Sequence, residues 1–318
     1  MTERVVSLLR VAPTVGQWVG RFRLQRELGQ GGMADVWLAM HAVTNKLVAV
    51  KILRGHLARD PESRTRFVQE ACAAATVRHV NVVDVHDVLE LEDGTPAMVM
   101  EYLEGETLEK RLEHQGAFFL HDLVAMMVPV CSALAAAHAA GIVHRDLKPA
   151  NIFLARRPPG SDSAGPLLKV LDFGLAKVAA NPRVTKPGRV MGTPSYMAPE
   201  QIAGDAELDV RADVWSLGII LYECLAAKRP YDAMNVADML AAIMRNAIAP
   251  LGQIRPDVPP NIIALIHSML SVDRNERPAL RTVQDALNAH RVASSSTAEA
   301  TIPSVLPPAL MERLLSRK

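Results

Sequence analysis

Ile142-Val143-His144-Arg145-Asp146-Leu147-Lys148-Pro149-Ala150-Asn151, followed about twenty residues later by Leu171-Asp172-Phe173-Gly174, is the part of this chain whose reading decides the rest. It gathers a candidate base (Asp146), a candidate phosphate-facing cation (Lys148) and two candidate metal ligands (Asn151 and Asp172) within a short span. A single Asp in such a stretch is by default a loop-capping residue. Together these hard oxygen and amine groups suit phosphoryl transfer, in which a protein positions an attacking hydroxyl and neutralises charge on a nucleoside triphosphate and its magnesium ion.

The composition sets the frame. With 318 residues, 49% of them apolar, the chain can bury a substantial core. Its 35 basic and 34 acidic residues leave a net charge of +1, which argues against a nucleic-acid partner or an anionic membrane surface. Cys72, Cys131 and Cys224 are far apart and show no C-x-x-C spacing, so they read as buried free thiols of a reducing cytoplasm. The N-terminus carries Glu3, Arg4 and Arg10 and lacks an apolar run before a small-residue cleavage site, and no secretion signal is expected. The uncharged run Leu123 to Ala140 raises the question of a membrane span. It holds Pro129, Ser132 and His138 and leads straight into the stretch above, so a buried helix is expected.

Outward toward the N-terminus, Phe22, Leu24, Val36, Leu38, Leu47, Ala49 and Ile52 recur at roughly alternate positions, broken by Gly29-Gln30-Gly31-Gly32 and by Thr44-Asn45. That is the pattern of three antiparallel strands joined by turns. A glycine turn lets backbone approach a phosphate, although alone it is simply a turn. Lys51 lies on the otherwise apolar third strand, where burial demands a partner. Asp60-Pro61-Glu62 supplies a helix start, and the helix is expected to reach about Val77, with Arg66 and Glu70 four residues apart on one face. Val82 to Glu90 and Ala97 to Met100 read as two more strands of a five-stranded lobe, and residues 107 to 140 as two helices opening a second lobe.

The stretch Ile142 to Asn151 with Leu171 to Gly174 resembles the catalytic and DFG loops of the eukaryotic-type (Hanks-type) protein kinases. The resemblance implies an α+β, two-lobe protein kinase fold: a small antiparallel β-sheet lobe with one long helix, and a larger, mainly helical lobe. It covers residues 20–291, with the N-lobe at about 20–101 and the C-lobe at about 104–291, between a leader (1–19) and a flexible tail (292–318). In site terms it implies that Asp146 accepts the proton of the substrate hydroxyl, that Lys148 stabilises the transferring phosphate, and that Asn151 and Asp172 bind magnesium, with manganese as the alternative ion. ATP would lie against Leu28, Gly29, Gln30, Gly31, Gly32, Val36 and Ala49, its phosphates met by Lys51 held by Glu70. Met98 to Leu103 resembles the hinge, with Met100 as gatekeeper and backbone groups of Glu101 and Leu103 on the adenine; a Met there is equally consistent with ordinary core. The pattern G-x-G-x-x-G is met at Gly29 and Gly31, but Ala34 stands at its third glycine.

Lys148 points to the Ser/Thr rather than the tyrosine kinases, of the non-specific protein class. Ala150 together with Gly31-Gly32-Met33 looks closest to the bacterial branch. Gly192 to Glu200 would close the activation segment, with Thr193 orienting Asp146 and Lys148, Asp213 bracing the catalytic-loop backbone, and Glu200 pairing with Arg277. Thr185 is the only hydroxyl residue between Gly174 and Thr193, hence the candidate for regulatory autophosphorylation, read by Arg145 and within reach of Arg66, with a homodimer as the route. Ala155 to Pro166 is Pro/Gly/Ser-rich and reads as an exposed loop joining two strands. Residues 235 to 246, 260 to 271 and 281 to 291 read as closing helices, and Leu310, Met311, Leu314 and Leu315 form a short apolar stripe that docks, frays or continues. Two other classes stay open: a silent scaffold of the same fold, which would have lost Lys51, Asp146 or Asp172, and a small-molecule kinase, which would lack Ala198-Pro199-Glu200.

Overall fold

The computed structural model describes residues 12–157, 160–161, 165–173, 194–205, 207–231 and 236–297. Gly174 to Thr193, with Thr185 and its basic neighbours, the first eleven residues and the stripe from Leu310 to Leu315 lie outside the described residues. The chain divides into two compact units, residues 1–76 with 83–103, and residues 77–82 with everything from 104 onward.

Unit 1 is a six-stranded antiparallel sheet in the order β1-β2-β3-β4-β6-β5, formed by β1 (Trp18–Val19), β2 (Phe22–Gln30), β3 (Ala34–His41), β4 (Leu47–Leu53), β5 (Val85–Glu90) and β6 (Pro96–Glu101). Five strands were expected. The sixth is β1, two residues that pair with Phe22 and Arg23, so Trp18 and Val19 belong to the sheet and not to the leader, and Val19 is fully buried. Alternation does the sorting. Val48, Val50 and Ile52 of β4 face the core with Phe22, Leu24, Ala39, Ala97 and Val99, which sends Ala49 and Lys51 to the opposite face. Helix α1 (Pro61–Thr76) starts as the sequence indicates, with Asp60 accepting from the Ser63 N–H at 2.9 Å and its hydroxyl at 2.6 Å. Its buried side chains Ser63, Phe67, Glu70 and Ala74 recur at helical spacing, and it packs against β5 and β6.

Unit 2 is mainly helical. Its α2 (Leu108–Gln115) and α3 (Leu120–Ala139) are followed by a three-stranded sheet, β7-β8-β9, made of Gly105–Thr107, Ile152–Ala155 and Leu167–Val170. Then come α4 (Pro199–Ala203), α5 (Arg211–Ala226), α6 (Val236–Met244), α7 (Leu251–Ile254), α8 (Pro260–Met269) and α9 (Leu280–Thr297). By length and composition α3 could cross a membrane. Its Leu123, Met127, Val130, Leu134 and Ala137 are instead fully buried, packed against α5, α9 and β9, each large apolar side chain worth roughly 1.5–3 kcal/mol of burial. Two boundaries and the exposure of one thiol differ from expectation. Val82 pairs with Val170 of unit 2 and is not in β5, the segment 77–82 being tied down by Asn81, whose Nδ2 donates to Leu168 O at 2.8 Å. Helix α9 runs six residues into the stretch expected to be tail. Among the thiols, Cys131 and Cys224 are buried but Cys72 is exposed, because it lies off the buried face of α1.

Candidate active site

Asp213, in the first turn of α5, is fully buried and organises the stretch from His144 to Asn151 in unit 2. Its Oδ1 accepts the Arg145 N–H at 2.8 Å, and its Oδ2 accepts the His144 N–H at 2.9 Å and the His138 ring Nε2 at 2.7 Å. A buried carboxylate is tolerable only when its lone pairs are used in this way. The His144 ring accepts the Asp146 N–H on Nδ1 at 3.3 Å, so its proton sits on Nε2 and is donated to Leu171 O at 2.9 Å. Phe173 packs against the same ring with centroids 5.0 Å apart.

On that frame Lys148 Nζ donates to Asp146 Oδ2 at 3.0 Å, and Asn151 Nδ2 donates to Asp146 O at 2.9 Å. The β8–β9 hairpin brings in Asp172. Ile152 pairs with Val170 and the Leu171 N–H donates to Asn151 O at 2.9 Å, so Asn151, just before β8, and Asp172, just after β9, stand at adjoining ends of two paired strands. In sequence the Pro/Gly/Ser-rich stretch follows β8 and precedes β9, but Ala155, expected to open that exposed loop, is the last residue of β8 and is buried. Because Nδ2 of Asn151 is committed to Asp146, its amide oxygen is the end left for a cation. With the Asp172 carboxylate this makes a sparse all-oxygen donor set, which fits magnesium completed by phosphate and water. Arg145 and Asp172 both have left-handed backbone, φ 64° and 48°, a conformation that costs a residue with a Cβ of the order of 1 kcal/mol or more and persists only where surroundings impose it.

Unit 1 holds the other candidate group. Lys51 Nζ lies 2.7 Å from Glu70 Oε1, with the residues 9% and 5% exposed, so Glu70 belongs to the buried face of α1 and not to a solvated one. Arg66 pairs with Glu62 and not with Glu70. Across the sheet Gly29 faces Val36, Val36 faces Lys51, and Lys51 faces Met98, while Ala49 sits between Leu38 and Met100, so Gly29, Val36, Ala49, Lys51 and Met100 share one face; Gln30, also expected at ATP, pairs instead with Asp35, which pairs with the core residue Ile52 on the other face. A Cβ added at Gly29 or Gly32 would meet nothing within 4 Å, whereas at Gly31 it would press on Ala34 O at 3.0 Å. Ala34 is itself buried as the first residue of β3, and Leu28 is half-buried on β2. The Glu101 N–H donates to Asp84 O at 2.9 Å, so the backbone group of Glu101 that can meet a base is its carbonyl, as an acceptor; Leu103 is half-buried just beyond it.

Residues 22–290 match the family model of the protein kinase domain. The chain belongs to the protein kinase domain family. It is 42% identical over 252 residues, 79% of the chain, to the serine/threonine-protein kinase Pkn1 of Myxococcus xanthus, and spans 34% of that relative's length. It resembles the crystal structure of the PknI kinase domain of Mycobacterium tuberculosis with a TM-score of 0.67 at 26% identity, covering 88% of this chain and 99% of that one. It is similar also to Rad53 in complex with AMP-PNP, with a TM-score of 0.68 at 25% identity over 83% of this chain and 64% of that one.

Within this kinase domain the sequence alone did not single out His138, His144, Asn81 or Gln201. His144 and Asn81 bond backbone carbonyls or N–H groups, partners that leave no trace in residue identity. Gln201 had a readable signal: it follows Ala198 by three residues at a helix start, where a Gln or Glu reaches back to the cap. Its Oε1 does accept the Ala198 N–H at 3.0 Å. Arg145 Nε is buried and has no hydrogen-bond partner among the described residues.

Proposed function

We propose that this kinase domain transfers the γ-phosphoryl group of ATP to Ser or Thr hydroxyls of proteins. The observation that carries the reading is the Asp146–Lys148 contact at 3.0 Å on a loop whose backbone is pinned by buried Asp213. Asp146 takes the hydroxyl proton as the hydroxyl oxygen bonds to phosphorus; the bond from phosphorus to the bridging oxygen breaks and its electron pair leaves with ADP. Lys148 faces the phosphoryl oxygens as charge redistributes. In unit 1, Lys51, oriented by Glu70, offers an ammonium to the other phosphates, with the glycine turn and the Met100 to Leu103 strand end serving the nucleotide. Magnesium, or manganese in its place, neutralises phosphate charge when bound, and Asn151 and Asp172 would hold it. The nucleotide in the Rad53 complex supports ATP as the donor, and the name of Pkn1 supports Ser/Thr proteins as acceptors. Beside Lys148 lies an open hollow whose charged lining is mixed, with Glu109, Glu113 and Glu223 against Arg229.

Thr185 is the proposed autophosphorylation site, modified by a second copy of the chain. The support is Arg145, whose buried Nε lacks a partner among the described residues and suits a phosphate. Labelled ATP with magnesium and a basic test protein, followed by mapping of modified residues, tests both parts. Asp146→Asn should lower transfer about hundredfold or more while the melting temperature stays put. Near-normal activity in that variant rejects the role given to Asp146, and absence of phosphate on Thr185 with full activity in Thr185→Ala rejects the autophosphorylation.

A further inference from the structure

We infer that Gln201 is a positioning residue for Asp146, acting through the carbonyl of Arg145; the inference rests on Asp146 being the base. The Arg145 carbonyl and the Asp146 N–H belong to one peptide plane. Its orientation sets the direction in which the Asp146 side chain leaves the backbone. Among the described residues two contacts hold the plane: Gln201 Nε2 donates to Arg145 O at 2.8 Å, and the Asp146 N–H donates to the His144 ring at 3.3 Å. The tighter contact is the one from Gln201. A third bond, from the Arg145 N–H to Asp213, fixes the preceding plane, so Arg145 is held at φ 64° from both sides. Release of the carbonyl lets the plane turn toward the right-handed backbone that a residue with a Cβ prefers, and turns Asp146 with it.

A helix cap alone does not account for this side chain. Capping the Ala198 N–H needs only an acceptor, which Glu supplies as well as Gln. The Nε2 group is surplus to the cap, and it is the part aimed at Arg145. The amide also cannot swing away, since its oxygen is held by Ala198 and the Gln201 N–H bonds Ala198 O at 3.0 Å. Next to it Glu200 is clamped by Arg277 at 2.6 and 2.8 Å, so short α4 is a fixed support.

Gln201→Glu separates the two roles, because it keeps an acceptor for Ala198 but presents oxygen in place of N–H to the Arg145 carbonyl. Expected are a fall in kcat of roughly ten- to hundredfold, as for a catalytic group displaced by a fraction of an ångström, and a KM for ATP within about twofold of wild type. Amide hydrogen exchange of the peptide spanning residues 144 to 147 should quicken, and the melting temperature should hold. Gln201→Met, of the same length but without either bond, should show the same kcat loss with a lower melting temperature. Wild-type kcat in Gln201→Glu overturns the inference, and so does a kcat loss without faster exchange. Near-normal activity in Asp146→Asn would instead remove the reading on which it rests.

Discussion

Glu200 and Arg277, 77 residues apart in sequence, form a bidentate pair at 2.6 and 2.8 Å with side chains 7% and 0% exposed. Arg277 further donates to Ser271 O and Arg211 O, and its guanidinium lies over the Trp215 ring. A pair exposed to water would contribute at most about 1 kcal/mol, but here removal of one partner strands a buried charge. Arg277→Ala is therefore expected to cost about 3–5 kcal/mol in urea unfolding, and Arg277→Met with Glu200→Met appreciably less than the two single changes summed. A loss below about 1 kcal/mol in Arg277→Ala would show that the pair behaves as a surface one. This pair and Lys51–Glu70 were legible in the sequence because each joins two charged side chains at positions that the resemblance ties together. Asp213 was legible as a brace, yet its third partner, the His138 ring, was not, since nothing in spacing connects the last turn of α3 with the first of α5.

Strand β7 shows what element length does to legibility. The three strands β2, β3 and β4 run seven to nine residues and carry their alternation openly, whereas β1 has two residues and β7 three, too few to display a period of two. What marks β7 is a glycine. Gly105 has φ 145° and a Cβ there would stand 2.1 Å from Leu154 O, the neighbouring strand of the hairpin that delivers Asn151 and Asp172. Gly105→Ala should thus push β7 off β8, with backbone strain alone costing about 1–3 kcal/mol. Urea unfolding checks the stability. Unchanged stability would mean that the strand shifts without loss and contributes little to holding the hairpin. Val82 was misread for a related reason: with Val83 it looks like the start of a strand, but Val82 is bridged to Val170 and β5 begins only at Val85, an outcome that long-range contacts decide.

At the scale of the whole chain the proposed roles differ in kind, and ligand-linked stability separates them. A ligand that binds only the folded protein stabilises it by about 2.7 kcal/mol at a hundredfold excess over its Kd, enough to raise the melting temperature of a domain this large by roughly 5–10 °C. Lys51, Asn151 and Asp172 are assigned to the nucleotide and its ion; Asp146 is assigned to the acceptor hydroxyl, which a nucleotide does not provide. With a non-hydrolysable ATP analogue and magnesium, Asp146→Asn should keep most of the wild-type shift although it no longer transfers phosphate. Lys51→Met should lose much of the shift because Glu70, 5% exposed, then faces the phosphates without its cation, adding repulsion to a lost attraction. Asp172→Asn should keep the part of the shift seen without magnesium and lose the increment that magnesium adds, since an amide replaces the only carboxylate of the assigned donor set. The melting temperatures of the unliganded variants supply the baseline from which each shift is read. If Asp146→Asn abolished the shift as fully as Asp172→Asn, Asp146 would belong to the nucleotide and ion, and its assignment to the hydroxyl would fall.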